Sequence, residues 1–198
     1  MARKTTISRE VILEAALKML IRDGYASVNV KTLASEIGCS TQPIVWHFEN
    51  MTGLRRALSE YAMAYAAKKA ASSYENKLES FELLGRSYVK MALKEPNLFK
   101  FLYLGESPMG KAYNLKDIGR AKNKEMIAMI AEQTGLNEEQ VIRFVRNTII
   151  YSHGIATMLA TGVLKGTEKE MMEMINKAAD AFILNEGADP EKIAVKGK

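Results

Sequence analysis

The chain has 198 residues, 47% of them hydrophobic and 26% charged, which is enough apolar material for a sizeable core and excludes a disordered chain. Its single cysteine, Cys39, excludes an intramolecular disulfide and a cysteine-based metal cluster, and fits a reducing compartment. A formal net charge of +5 suits a polyanionic partner without specifying one.

Ala, Leu, Met, Glu and Lys dominate, and alternating runs of Val, Ile and Thr are nearly absent, so an all-α fold is expected. Ser8 can cap a first helix with Glu10 in its first turn. Ile12, Ala16, Met19 and Leu20 follow at helical spacing, and Gly24 stands where a left-handed stop is wanted. Asn29 can cap a short second helix that carries Leu33, Ala34 and Ile37 and ends at Gly38. A third opens at Ser40, tolerates Pro43 in its first turn, and stops near Phe48. Asn50 then caps a long helix from about Met51 to Ser72. Longer helices follow: Tyr74 to Leu93, one opened by Pro96, Asp117 to Gln133, Asn137 to Ala160 and Thr167 to Leu184. The last two begin with the capping-box pairs Asn137 with Gln140 and Thr167 with Glu170. The opening segment has no apolar run of signal-peptide length, and no window approaches the roughly 18 apolar residues of a membrane span. A soluble, cytoplasmic protein with no membrane partner is expected.

The second and third helices, joined by Gly38-Cys39-Ser40, have the size and turn chemistry of a helix-turn-helix. Only Ile44 and Phe48 would anchor the third helix, leaving Thr41, Gln42, Pro43, Trp46 and His47 to face outward. Such a helix enters the major groove N-terminus first, where Gln pairs with adenine and apolar groups touch a thymine methyl. Arg3 and Lys4 ahead of the first helix, and Lys31 at the start of the second, are placed to meet phosphates. The positive helix ends at Asn29, Ser40 and Asn50 add to this.

Residues 8 to 58, SREVILEAALKMLIRDGYASVNVKTLASEIGCSTQPIVWHFENMTGLRRAL, resemble the TetR family of bacterial transcription regulators. The Gly-Tyr turn, the Leu-Ala before the helix-turn-helix glycine and the aromatic-His-Phe ending carry the resemblance. It implies a helix-turn-helix DNA-binding domain over residues 5–65 and a helical effector-binding and dimerisation domain over 66–187. It further implies a homodimeric regulator, in most such cases a repressor, on a double-stranded DNA operator. Carried across by position, Lys31, Thr41, Gln42 and Pro43 are base or near-base contacts, Trp46, His47 and the Asn50 backbone are phosphate contacts, and Ser40 joins them in the DNA-binding set. The family's usual phosphate-bonding tyrosine is Val45 here, and its usual lysine at the start of the fourth helix is Met51. Fewer phosphate contacts and a shallower salt dependence are therefore expected.

In the second half, Met91, Phe99, Tyr103, Tyr113 and Met126 suit either ordinary helix cores or the walls of a pocket for an apolar small-molecule effector, with His153 as a polar group in it. Two histidines, one cysteine and no Gly-rich phosphate loop leave no triad, cofactor site or metal cluster, so no enzymatic activity and no cofactor are expected. A helical carrier or interaction protein that has kept this fold without operator binding is the second class of function. On the penultimate helix Val141, Phe144, Val145, Thr148, Ser152, Ile155, Ala156 and Leu159 share a side, and the small Ser152, Ala156 and Ala160 would let a symmetry mate approach closely.

Overall fold

The computed structural model describes residues 7–71, 80–105, 107, 114–119 and 124–190. The fold is all-α: every regular element among these residues is helical. Contacts divide the chain into two units, one formed by Met1–Glu75 with Met91–Gly110 and the other by Asn76–Lys90 with Lys111–Lys198.

The first unit is built around α1 (Arg9–Asp23), whose Ser8 cap accepts a hydrogen bond from the Val11 N–H at 3.3 Å. Its buried face is Ile12, Leu13, Ala16, Leu17, Met19 and Leu20, the i, i+4, i+7 stripe of a helix with one face inward. Gly24 has φ +85° and ψ 164°, a region open essentially to glycine but not the left-handed helical stop expected. The chain therefore turns sharply into a 3-10 turn, Tyr25–Ser27. The carbonyls left over at the end of α1 are met by a distant side chain, with Asn97 Nδ2 donating to Ile21 O at 3.2 Å and Arg22 O at 3.4 Å. Asn97 stands in α6 (Pro96–Tyr103), which opens on Pro96 as expected and packs against α1 although it follows α4 (Met51–Ala71) in the chain. Phe101 stacks on Tyr25 with ring centroids 5.0 Å apart.

In the second unit, α7 (Lys124–Thr134), α8 (Glu138–Ala160) and α9 (Glu168–Asn185) carry the core. Ile127, Ile130, Val141, Ile142, Phe144, Val145 and Ile183 form its centre. Both capping boxes are present. The Thr167 backbone N–H, hydrogen-bonded to Glu170, holds that carboxyl below its ordinary range. Helices α8 and α9 run antiparallel, since Gln140 Nε2 donates to Glu186 O at 2.6 Å and Arg143 meets the Glu186 carboxylate at 2.7 Å. The seam expected on α8 is corrected here. Ser152, Ala156 and Ala160 are 7%, 0% and 5% exposed, so this chain's own core covers them and no second copy can reach them.

The remaining long helix, α5 (Ser80–Lys94), starts later than the expected Tyr74 because residues 72–79 lie outside the described residues. Its last turn, from Met91, belongs to the first unit and its earlier turns to the second.

Candidate nucleic-acid interface

Helix α2 (Val30–Ile37) is fixed at both ends by side-chain and glycine chemistry. Asn29 Oδ1 accepts from the Lys31 and Thr32 N–H groups at 3.0 and 3.1 Å, and Thr32 Oγ1 takes the Asn29 N–H in return at 3.1 Å. At the other end Gly38 adopts φ +75°, ψ 35°, and the Cys39 N–H donates to Ala34 O at 2.9 Å. Only a residue without Cβ enters that conformation freely. Buried Leu33 and Ala34 seat the helix on the core. The chain is thereby aimed into α3.

Helix α3 (Gln42–Phe48) begins two residues later than expected, and Ser40 does not cap it. Thr41 occupies the cap position with helical φ and ψ and no side-chain cap bond, and Pro43 falls in the first turn. Ile44 and Phe48 are buried anchors. Around them Ser40, Thr41 and Gln42 are exposed, Pro43 is half-buried, Val45 is exposed and Trp46 is 82% exposed. An indole that far into solvent is an unusual expense of apolar surface, and α3 is where it stands. Lys31, in the first turn of the packed neighbour α2, is exposed too.

Two expected contacts are placed differently. The Asn50 N–H, expected on a phosphate, donates to Phe48 O at 2.6 Å, while Asn50 Oδ1 caps α4 through the Gly53 N–H at 3.0 Å. Met51, where the family usually has lysine, packs half-buried against the first core. His47 is half-buried, and its Nε2 lies 2.9 Å from the carbonyl oxygen of Ile7. Arg9, given no role by sequence reasoning, holds its guanidinium 5.2 Å from the Phe48 ring centroid.

The candidate effector residues fall into both units. Phe99 is fully buried in the first, its ring centroid 5.2 Å from that of Tyr103. Met91 and Tyr103 pack on that unit's core. Met126 packs on the core of the second unit, which also holds His153. Tyr113 lies outside the described residues. His153 Nδ1 is 2.6 Å from the Tyr88 hydroxyl, and burial lowers the imidazole pKa below its ordinary 6.5. One turn along α8, the buried Thr157 Oγ1 has no hydrogen-bond partner. The helical threonines Thr134, Thr148 and Thr161 instead donate back to carbonyls four residues earlier, at 2.6, 3.0 and 2.8 Å. A cleft of about 420 Å³ between α5 and α9 is lined by Arg86, Glu168, Lys169, Met172, Glu173 and Asn176, a charged wall rather than an apolar one.

Residues 12–58 match the family of bacterial regulatory proteins, tetR family. Over this segment the chain is similar to TetR family regulators. A stretch of 57 residues, 29% of the chain, is also 37% identical to an uncharacterized HTH-type transcriptional regulator of Mycobacterium tuberculosis. The chain spans about a quarter of that relative, 26% of its length. The matched segment runs from within α1 into α4 and takes in the whole of α2 and α3. It stops before α5, so the match speaks for the first unit. No helix among the described residues is long and apolar enough to cross a membrane, and none of their His, Cys, Asp and Glu side chains group as a metal site.

Proposed function

We propose that this protein is a cytoplasmic, homodimeric transcriptional regulator of the TetR family that represses by binding a DNA operator and lets go when a small, mainly apolar effector binds. One observation carries the DNA-binding reading: α3 rests on two buried anchors and turns Thr41, Gln42 and Trp46 outward. Gln42 at the helix start has the donor and acceptor pair that adenine presents a match for, and Lys31 supplies a phosphate partner. Selection of bound duplexes from a random pool tests it. A recovered motif that Gln42→Ala relaxes at one base pair, with a loss of about 1–3 kcal/mol, is the expected result. Recovery of no motif favours the carrier reading.

For the effector, the second unit offers the more suitable polar group. Burial lowers the His153 pKa, which favours the neutral imidazole beside the Tyr88 hydroxyl, and the Thr157 hydroxyl one turn away is unspent. Such a set suits a largely apolar molecule with an uncharged oxygen. Release follows if the effector binds better to the form whose recognition helices no longer match the operator. For the dimer, Ile150, Gly154 and Met158 recur every fourth residue on the exposed side of α8, and Met174, Ala181 and Leu184 are exposed on α9. Apolar residues repeated at helical spacing on the outside of two packed helices suit a self-complementary interface.

A further inference from the structure

Val45 stands in α3 where the family resemblance puts a phosphate-bonding tyrosine, and its own chemistry excludes that role. The side chain carries no donor. Its backbone groups are already used, since the N–H donates to Thr41 O at 3.1 Å and the carbonyl accepts the Glu49 N–H at 2.7 Å. What this residue, 46% exposed, offers to a partner is a pair of methyl groups.

Its place on the helix decides what those methyls can meet. At about 100° per residue, Val45 lies about 100° round α3 from the buried anchor Ile44 and about 60° from Gln42. Gln42 and Trp46, one turn apart, occupy the centre of the outward face, and Val45 flanks it. Residues three and four apart on a helix are neighbours, with Cβ atoms about 5–6 Å from each other, so Val45 adjoins both Gln42 and Thr41. All four of these residues are exposed. A β-branched side chain in a helix keeps essentially one rotamer, which fixes the Val45 methyls before a partner arrives and leaves little entropy to lose on contact.

The apolar group that a base edge presents in the major groove is the thymine methyl. Successive bases of a strand stand about 3.4 Å apart, so a side chain about 5–6 Å from Gln42 meets a base no more than about two pairs from the one Gln42 reads. We propose that Val45 is a specificity-determining residue of the DNA interface, whose methyls pack on the 5-methyl group of a thymine within about two base pairs of the adenine read by Gln42. The proposal rests on the DNA-binding reading and names a base that α3 selects beside its polar contacts. A sequence-blind phosphate contact is thereby exchanged for one that reads sequence.

Deoxyuridine in place of thymine removes the 5-methyl and leaves base pairing unchanged, so the motif recovered from a random pool is remade with one such replacement at a time. Wild-type affinity should fall about threefold to fivefold at a thymine within two pairs of the Gln42 position, the worth of about one buried methyl-sized group. Val45→Ala trims an exposed position and favours the helix, and unchanged far-UV circular dichroism confirms its fold. It should bind the thymine duplex about threefold to fivefold more weakly, and lose its sensitivity to deoxyuridine at that one position while keeping it at any other. Additive effects, with Val45→Ala losing the same factor on the thymine and deoxyuridine duplexes, would place Val45 away from the methyl and overturn the assignment. A wild type indifferent to every replacement would overturn it too. So would a sensitivity that Trp46→Ala removes and Val45→Ala leaves, which gives the methyl to the indole. A Val45→Ala protein with unchanged operator affinity but weaker self-association in sedimentation equilibrium would put a second copy on this face instead. Each of these outcomes retains a recovered motif, and with it the DNA-binding reading. Recovery of no motif removes both.

Discussion

The two units differ in which polar and apolar groups they leave unspent. In the first, side chains reach across the sequence: Asn97 to the carbonyls of Ile21 and Arg22, His47 to the carbonyl of Ile7, and Arg22 through two nitrogens to the Glu36 carboxylate at 3.1 Å each. In the second, most caps are local, three residues apart in both boxes, while Thr157 keeps a buried hydroxyl unspent and Ile149, Ile150, Met158, Met174 and Leu184 stay exposed. The first unit completes its own core and offers one exposed indole, Trp46, on α3. The second has apolar surface outside and a spare polar group inside. On the proposed reading, a DNA-reading surface needs rigidity, whereas a surface that meets a second copy or an effector needs unsatisfied groups, and the contrast agrees with that division.

The sharpest way to break the contrast is to place the same charge on either side of α8. Ala156 is 0% exposed, so Ala156→Arg puts an unpartnered cation into the core of the second unit and should cost about 4 kcal/mol or more. Thermal unfolding should show that unit lost. Ile150 is 46% exposed, and Ile150→Arg should keep full helical content while shifting sedimentation equilibrium toward monomer and weakening operator binding. An Ile150→Arg protein that remains a dimer would remove that face as the interface.

A smaller effect comes from one methyl group placed in each unit. A Cβ on Gly53 would overlap the carbonyl oxygen of Phe48, beneath the turn where Glu49 holds φ +64°. Gly53→Ala should therefore cost about 2–3 kcal/mol, because backbone has to move. Gly154 lies in the interior of α8 with nothing within 4 Å of its would-be Cβ. Because Gly154 lies on the proposed dimer face, the comparison is made in the Ile150→Arg background, where Gly154→Ala should raise stability by about 0.5–1 kcal/mol through helix propensity. Urea midpoints of the two variants should move in opposite directions.

What the sequence disclosed depended on how far apart the interacting groups were. Ser8, Asn29, Asn50, Asn137 with Gln140, and Thr167 with Glu170 all act as caps where they were expected, because a cap and its target lie within three residues. The start of α3 was misjudged because Ser40 and Thr41 are both capping types and neither caps. The bonds from His47 to Ile7 and from Tyr88 to His153 span 40 and 65 residues, and no local pattern announces them. Phe99 shows a different limit, since a fully buried ring in a helix core and a pocket wall call for the same side chain. The α8 stripe shows a third: helical spacing identified which residues share a side but not whether the same chain covers it.

The smallest expected effect concerns His153, and its sign follows from burial. The folded protein holds this imidazole below its ordinary pKa of 6.5, so as pH falls through that value the unfolded chain takes up a proton that the folded chain still refuses. Stability then declines with falling pH until the folded pKa is passed, below which both states carry the proton and the decline stops. His153→Gln removes the titrating group, and its stability should vary less between neutral pH and about pH 5 than that of the wild type. Urea midpoints across that range measure the difference. Parallel curves for the two proteins would mean that His153 takes up its proton equally readily in the folded and unfolded chain, and the neutral polar pair with Tyr88 would no longer support an uncharged effector group.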